Sequence, residues 1–304
     1  MLDPRINTFI SVCNNVSYTK AAKELNLTQP AVSQHIRYLE NLYGVRLFKY
    51  EKKQLSLTEE GKLLQSIGYT LKSDEELLKR KIREIGKEQT EHHIGATMTV
   101  GEYGLIRPIA QFLQNHPNTK MELTIANTEE LLKKLKNKEI DFAIMEGYFP
   151  KEQYDYIVFS TERYIPICSA SNPVVAKGKD IMVKDLAGQR LIVRERGSGT
   201  RDIMEKNLQG HGIEIDDFEH QMEVNSLHAI VQLAKEDCGI TFLYEIAAKE
   251  EIEKGTIKEI GIKDFLVEHN FTFLWNKGSA YERDYRSICN ELSGYSLDKS
   301  GQLV

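Results

Sequence analysis

Residues 28–44 read TQPAVSQHIRYLENLYG, and the reading of this stretch decides how the front of the chain folds. Thr28 stands where a helix N-cap belongs, Pro30 falls in the first turn, where a missing amide hydrogen does little harm, and Gly44 ends the run. Ala31, Val32, Ile36, Leu39 and Leu42 recur at helical spacing and form an inward face. The first turns also carry Gln29, Ser33 and Gln34, side-chain amides and a hydroxyl suited to reading a partner placed at that end of the helix.

The flanking residues supply the context. Upstream, Ile6, Phe9, Ile10 and Cys13 form an apolar helical stripe. Ser17 is a plausible N-cap for a short helix, YTKAAKEL, whose packing face is Ala21, Ala22 and Leu25. Two short helices joined by the tight turn NLT, the first lined with small residues that allow close approach, make a helix-turn-helix. In such a unit the N-terminal end of the second helix enters the major groove of double-stranded DNA. Gln29 is placed to bond an adenine edge, Ser33 and Gln34 to reach bases or phosphates, and Arg37 to meet the backbone one turn on; Ser17, Thr28 and Pro30 complete the expected DNA-binding set. Downstream, RLFKYEKKQLSLT reads as two short strands around a charged tip, a wing offering Lys49, Lys52 and Lys53 to phosphates.

Charge is distributed accordingly. The chain has 304 residues and a formal net charge of −5. Residues 1–58 hold eight Lys or Arg against four Asp or Glu, a net of +4, and the remainder holds 32 against 41, a net of −9. The pattern suggests a small polyanion-binding module joined to an acidic body with another task. Hydrophobic residues make up 41% and charged residues 28%, a globular composition. No apolar run reaches the roughly 20 residues of a membrane helix, and MLDPRINTFISVCNN lacks the pattern of a secretory signal, so the expectation is a cytoplasmic protein with no membrane partner. Cys13, Cys168, Cys238 and Cys289 show no CxxC pairing, which suggests reduced thiols and neither a disulfide framework nor a metal site.

TKAAKELNLTQPAVSQHIRYLENLYGVRLF, followed by LTEEGKLL, resembles the winged helix-turn-helix of LysR-type transcriptional regulators. The resemblance spans some forty residues without a gap, through Ala21-Ala22, Leu25, Thr28 to Ala31, Ser33, Ile36, Leu39-Glu40, Gly44, Leu47-Phe48, Leu57-Thr58 and Gly61. Tyr50 stands where many members carry Arg.

Residues 59–89 read as a long linker helix with Leu64, Leu71, Leu78 and Ile85 at intervals of seven, joined by Ile67 and Ile82, which calls for a partner helix. Asp74 occupies a position in that seam where an apolar residue would fit. The resemblance implies a homodimer through this helix, a homotetramer as its further assembly, and RNA polymerase among its partners.

From about residue 90 the pattern alternates strand and helix: HHIGATMTV, LIRPIAQFLQNH, KMELTIA, TEELLKKLKNKE and IDFAIME, then RLIVRE, SGTRDIMEKNLQ, HQMEV, SLHAIVQLAKED and GITFL, with a return through HNFTFLWN to a last helix near 280–293. That order implies βαβ units on a parallel sheet. The expected organisation is a winged helix-turn-helix at 1–58, the linker at 59–89 and an α/β body at 90–304, with lobe I at about 90–161 and 267–304 and lobe II at about 162–266. The resemblance makes the body a periplasmic-binding-protein-like effector domain.

Ligands in open α/β sheets sit where strand ends meet helix starts. Three such junctions are polar: Thr97, Met98 and Thr99; Asn127 and Thr128; and Ser198, Gly199, Thr200 and Arg201. Hydroxyls and free amides at helix starts favour anions, and Arg201 adds a planar charged fork. Glu146, at the end of DFAIMEG, is placed to bond an effector's amine or hydroxyl, while a solvated or Arg-paired carboxylate is the plainer alternative. Asn225 and Ser226 occupy the position of a further polar turn in the family. GATMTVGEYGLIRP and RERGSGTR resemble the branch that senses small anionic metabolites. No cofactor is expected, the small molecule being an effector. A hydrolase with Ser198 as nucleophile would need a GxSxG elbow and a nearby base. A metal site on the adjacent His92 and His93 would need side chains that converge. A transport-type solute-binding protein would fit the two lobes but not the basic head.

Overall fold

The computed structural model describes residues 3–51, 54–85, 90–178 and 181–294. The first helices are α1 (Pro4–Asn15), α2 (Tyr18–Glu24) and α3 (Gln29–Tyr43). Each begins on a side chain that accepts a bond from an exposed amide of the first turn: Asp3 from Arg5, Ser17 from Lys20 and Thr28 from Ala31. Val32, Ile36 and Leu39 of α3 pack on Phe9, Ile10, Ala21 and Ala22. Leu42, expected on that inward face, is 59% exposed, because the helix outruns the small core beneath it.

The wing follows as an antiparallel pair, β1 (Phe48–Glu51) and β2 (Gln54–Leu57). Its expected tip residues, Lys52 and Lys53, lie outside the described residues. Glu40, buried on α3, fixes where the wing departs: its carboxylate accepts from the Leu47 amide at 2.9 Å and from Arg46.

A single helix, α4 (Glu59–Glu84), leads away from the head. Tyr69 closes the head core, and Leu77 enters the main core of the body. Leu63, Ile67, Leu71, Leu78, Ile82 and Ile85 are left exposed. Two expectations change in detail. Leu64 packs against the head core, with Leu63 on the open face instead. Asp74 is not part of that face: its carboxylate accepts from the Ser279 hydroxyl and, at 2.7 Å, from the Ala280 amide.

The body begins with β3 (Thr90–Ala96), α5 (Ile106–Asn115), β4 (Thr119–Ile125), α6 (Thr128–Asn137) and β5 (Phe142–Met145). β4 and β5 flank β3 in parallel, as the βαβ reading requires. The long strand β6 (Tyr154–Ser169) then crosses to the second lobe. That lobe holds β7 (Arg190–Arg194), α7 (Gly199–Gly210), β8 (His220–Val224), α8 (Leu227–Lys235), β9 (Thr241–Tyr244), α9 (Glu245–Glu253) and β10 (Ile257–Glu259). β11 (Val267–Asn276) returns to the first lobe, and α10 (Glu282–Gly294) follows it.

The largest sheet runs β10-β6-β11-β5-β3-β4, with β9 also on β6, and β7 pairs β8 in parallel. The sheet is therefore mixed rather than wholly parallel, since β11 runs antiparallel to both β5 and β6. This is what two lobes joined by crossing strands demand: one strand leaves the first lobe and another must come back. Trp275, Phe142, Phe271 and Phe273 fill the core beneath that crossing. All four cysteines are free, Cys168 and Cys289 buried. No helix among the described residues is long and apolar enough to cross a membrane.

Candidate functional site

Two regions gather the polar side chains singled out in the sequence. In the head, the solvent edge of α3 presents Gln29, Pro30, Gln34 and Arg37, all exposed, with Ser33 half-buried beside them. The face opposite carries the core residues, so this edge cannot turn inward without emptying the core. Gln29 Nε2 donates to Ser33 Oγ at 3.0 Å, which holds the amide in place before any partner arrives. Ser17 and Thr28 are occupied as helix caps. Lys49 on the wing is exposed and pairs with Glu51 at 2.7 Å, a solvated contact that a phosphate can replace. Tyr50 is 70% exposed on the same strand.

Between the lobes, three hydroxyls converge on one carboxyl group. Glu146, directly after β5, is 1% exposed. Thr97 donates to its Oε2, and Thr99 and Thr200 donate to its Oε1 at 3.3 and 3.0 Å. Thr97 and Thr99 follow β3 in the first lobe; Thr200 opens α7 in the second. Burial pushes the Glu146 pKa up, and the hydroxyls and the nearby Arg194 charge oppose that shift. Thr128 Oγ1 donates to the Glu146 carbonyl at 3.1 Å.

The backbones of the two lobes touch here because glycines stand on both sides. Gly147 has φ +97°, and a Cβ on it would lie 2.6 Å from Gly199 Cα; a Cβ on Gly199 would lie 2.5 Å from the Glu146 carbonyl oxygen. Gly199 is therefore a position where the close approach of the two backbones requires glycine.

The arginine at this place is not the expected one. Arg201 donates from Nε to Glu205 at 2.7 Å and from Nη1 to Glu223 and the Arg194 carbonyl at 2.6 and 2.9 Å. It borders a hollow of about 360 Å³ lined also by Arg196, Asp202 and Glu205, so cationic and acidic side chains are evenly matched there. Arg194, the last residue of β7, is 4% exposed. Its Nε and Nη2 are held by Glu195, Nη2 also meets Met98 Sδ at 3.1 Å, and Nη1 is buried without a partner among the described residues. A charged residue closing the apolar run Leu191-Ile192-Val193 was the sequence signal for it. Tyr164, which donates to the Thr200 and Phe242 carbonyls at 2.9 Å, is a second contributor that periodicity does not reveal.

The other polar junctions serve as caps. Asn127 accepts from the Glu130 amide at 2.9 Å and Ser226 from the Ala229 amide at 3.2 Å. Asn225 is exposed, and Ser198 is buried at the start of α7 without capping it. Among the described residues no cluster of His, Cys, Asp or Glu could hold a metal ion.

Comparison with known proteins matches residues 5–62 to the bacterial regulatory helix-turn-helix protein, lysR family, and residues 86–292 to the LysR substrate binding domain. The chain belongs to the LysR family. An uncharacterized HTH-type transcriptional regulator of Methanocaldococcus jannaschii is 32% identical over 269 residues, spanning 86% of this chain and 90% of the relative. A probable RuBisCO transcriptional regulator of Porphyra purpurea is 29% identical, over 88% of this chain and 85% of its own. Among solved structures, the regulatory domain of Synechocystis CcmR in complex with 2-PG superposes with a TM-score of 0.61 at 21% identity, covering 69% of this chain and 98% of that domain. As a LysR-family member the protein is a DNA-binding transcriptional regulator with a two-lobed α/β ligand domain.

Proposed function

We propose that this regulator reads double-stranded DNA with the exposed edge of α3, Gln29, Ser33, Gln34 and Arg37, and that a small metabolite with an anionic group, bound between the lobes, sets its activity. The observation that carries this reading is the joining of the two regions by one continuous helix. The basic head displays polar side chains on the only face of α3 its core leaves free, and α4 runs from that core into the body. Arg194 Nη1, buried without an acceptor, supports the anionic group, as does the complex of CcmR with 2-PG. The exposed stripe on α4 supports a twofold pairing that sets two heads side by side. The body works by binding rather than by catalysis: Ser198 has no hydrogen bond to a base among the described residues, and the family consists of regulators.

Anisotropy of labelled DNA tests the reading with the full chain. A fragment from upstream of the protein's own gene is expected to bind at least ~1,000-fold more tightly than a scrambled one of equal length, within the usual range of specific over non-specific binding. A metabolite that binds the two arrangements of the lobes unequally is expected to move that affinity. Equal affinity for both fragments would refute base reading, and indifference to every small carboxylate and phosphate would refute the effector role.

A further inference from the structure

Opposite charges buried close together ordinarily close on one another, since each otherwise stands desolvated without a counter-ion. Glu146 and Arg194 do not. Both are nearly inaccessible, at 1% and 4% exposure, and Arg194 Nη2 meets Met98, which lies between the Thr97 and Thr99 that hold Glu146. No hydrogen bond or ion pair joins them among the described residues; each is held back by its own neighbours. Glu146 is tethered by threonine hydroxyls from both lobes, and Arg194 is turned along Glu195 and Met98. Arg194 Nη1 is left without an acceptor among the described residues, while a carboxylate holding three hydroxyl bonds has room for about one more.

A molecule that satisfies both groups brings an acceptor to Arg194 Nη1 and a donor to Glu146. The hydroxyls of Thr97, Thr99 and Thr200 already donate to Glu146, so Arg194 Nη1 is the cationic contact left for an incoming acceptor, and Glu195 already balances the charge behind it. A dianion would add uncompensated buried charge, whereas a carboxylate with an adjacent ammonium balances both ends. A neighbouring hydroxyl supplies the donor without the charge.

We infer that the inter-lobe site takes a small carboxylate bearing a donor on the adjacent carbon, an amino acid ahead of a hydroxy acid, and that Glu146 is the residue that selects for that donor. This rests on the reading of the inter-lobe region as the ligand site. It goes further in excluding bare anions.

Thermal-shift titration of the full chain with L-alanine, L-lactate and propionate isolates the donor, because the three differ chiefly in the substituent beside the carboxylate. Sulfate adds the bare dianion. A ligand that binds the native state stabilises it by RT ln(1 + c/Kd) at free ligand concentration c, so the concentration that gives a set rise in melting temperature tracks its dissociation constant. Alanine is expected to give the same rise in melting temperature at a concentration at least ~10-fold below propionate, with lactate between and sulfate inert, since a site built to hydrogen-bond discriminates strongly against the analogue that leaves it unpaired. Glu146→Gln, nearly isosteric, is expected to bring alanine and propionate within about threefold of each other, on the same argument. Arg194→Lys, which keeps the charge but not the second nitrogen, is expected to weaken alanine and propionate alike.

Propionate or sulfate stabilising the wild type as well as alanine does would overturn the selection by Glu146. So would an unchanged preference in Glu146→Gln. Silence of every probe in both proteins would make Glu146 and Arg194 structural core groups and also overturn it. If some other small molecule nevertheless shifts DNA binding, the effector reading stands while this inference falls; if none does, the effector reading falls as well.

Discussion

At the scale of single residues, Glu146 ties the chemistry of the cleft to pH. Its pKa is raised in the folded protein, mainly by burial, so the folded state holds that proton more tightly than the unfolded chain does. Its contribution to stability is therefore complete below the ordinary glutamate pKa of 4.5 and is lost as pH rises through the folded value. Glu146→Gln does not titrate. Calorimetry at a series of pH values is expected to show the variant gaining on the wild type as pH increases, and a constant difference would show that Glu146 does not change protonation between the two states. Gln29 has a different test. Removing its amide by Gln29→Ala is expected to cost about 1–3 kcal/mol of discrimination on the specific site and to leave random DNA nearly unaffected; equal losses in anisotropy on both would assign it to the backbone. These two residues also show what sequence reveals at this scale. The exposure of Gln29 was legible because a polar residue on an amphipathic helix takes the face the core leaves free. The pairing of Arg201 was not legible, because its partner Glu223 lies on β8, 22 positions away, and no local pattern announces it. The burial of Arg194 was not legible for a related reason: an arginine at a strand end looks solvent-facing until the first lobe, with Met98, is folded over it.

At the scale of elements, α4 has one face buried within this chain and one left open. Tyr69, Thr70, Ser73 and Leu77 are buried against the head and the body, and Leu63, Ile67, Leu71, Leu78 and Ile82 are open to solvent. An apolar stripe this long is more than the scattered exposed leucines of an ordinary surface, and a second α4 is the element that matches it in length and period. Leu71→Asp places a charge within the stripe. Forfeiting the burial of one leucine costs about 1.5–3 kcal/mol, and the loss occurs twice in a twofold contact, so sedimentation is expected to show a dissociation constant raised at least ~10-fold. An unaltered assembly would move the contact elsewhere. Periodicity located this helix and most of its stripe. It could not set the phase at Leu64 and Asp74, because both are claimed by contacts with segments distant in sequence, Asp74 by residues 279 and 280. The same limit applied to the sheet. Strand positions were readable from apolar runs, but antiparallel β11 was not, since direction depends on which lobe a strand ends in.

At the scale of the whole molecule, a ligand between the lobes can influence a head it does not touch only through an element that both share, and α4 is that element. Its head end is fixed by Tyr69, whose hydroxyl meets Asn14 of α1, and its body end by Thr70 to the Lys277 carbonyl at 2.7 Å, by Arg80 to Asp141 and by Lys81 to Asp284. Asp74 lies between these anchors. It accepts two hydrogen bonds from the turn between β11 and α10, and β11 is one of the strands that run between the lobes. A shift of the lobes that moves β11 therefore pulls on α4 at Thr70 and Asp74. Bonds to a charged acceptor contribute about 1.5–3 kcal/mol, so Asp74→Ala is expected to lower the unfolding free energy by an amount of that order. It is also expected to reduce the effect of a bound ligand on DNA affinity while leaving ligand binding itself intact. The readout is the ratio of DNA dissociation constants with and without ligand, taken beside a thermal-shift titration of the same variant. Full coupling in a protein that has lost the stability would mean that Asp74 only caps the turn, and that the remaining anchors of α4 carry the signal without it.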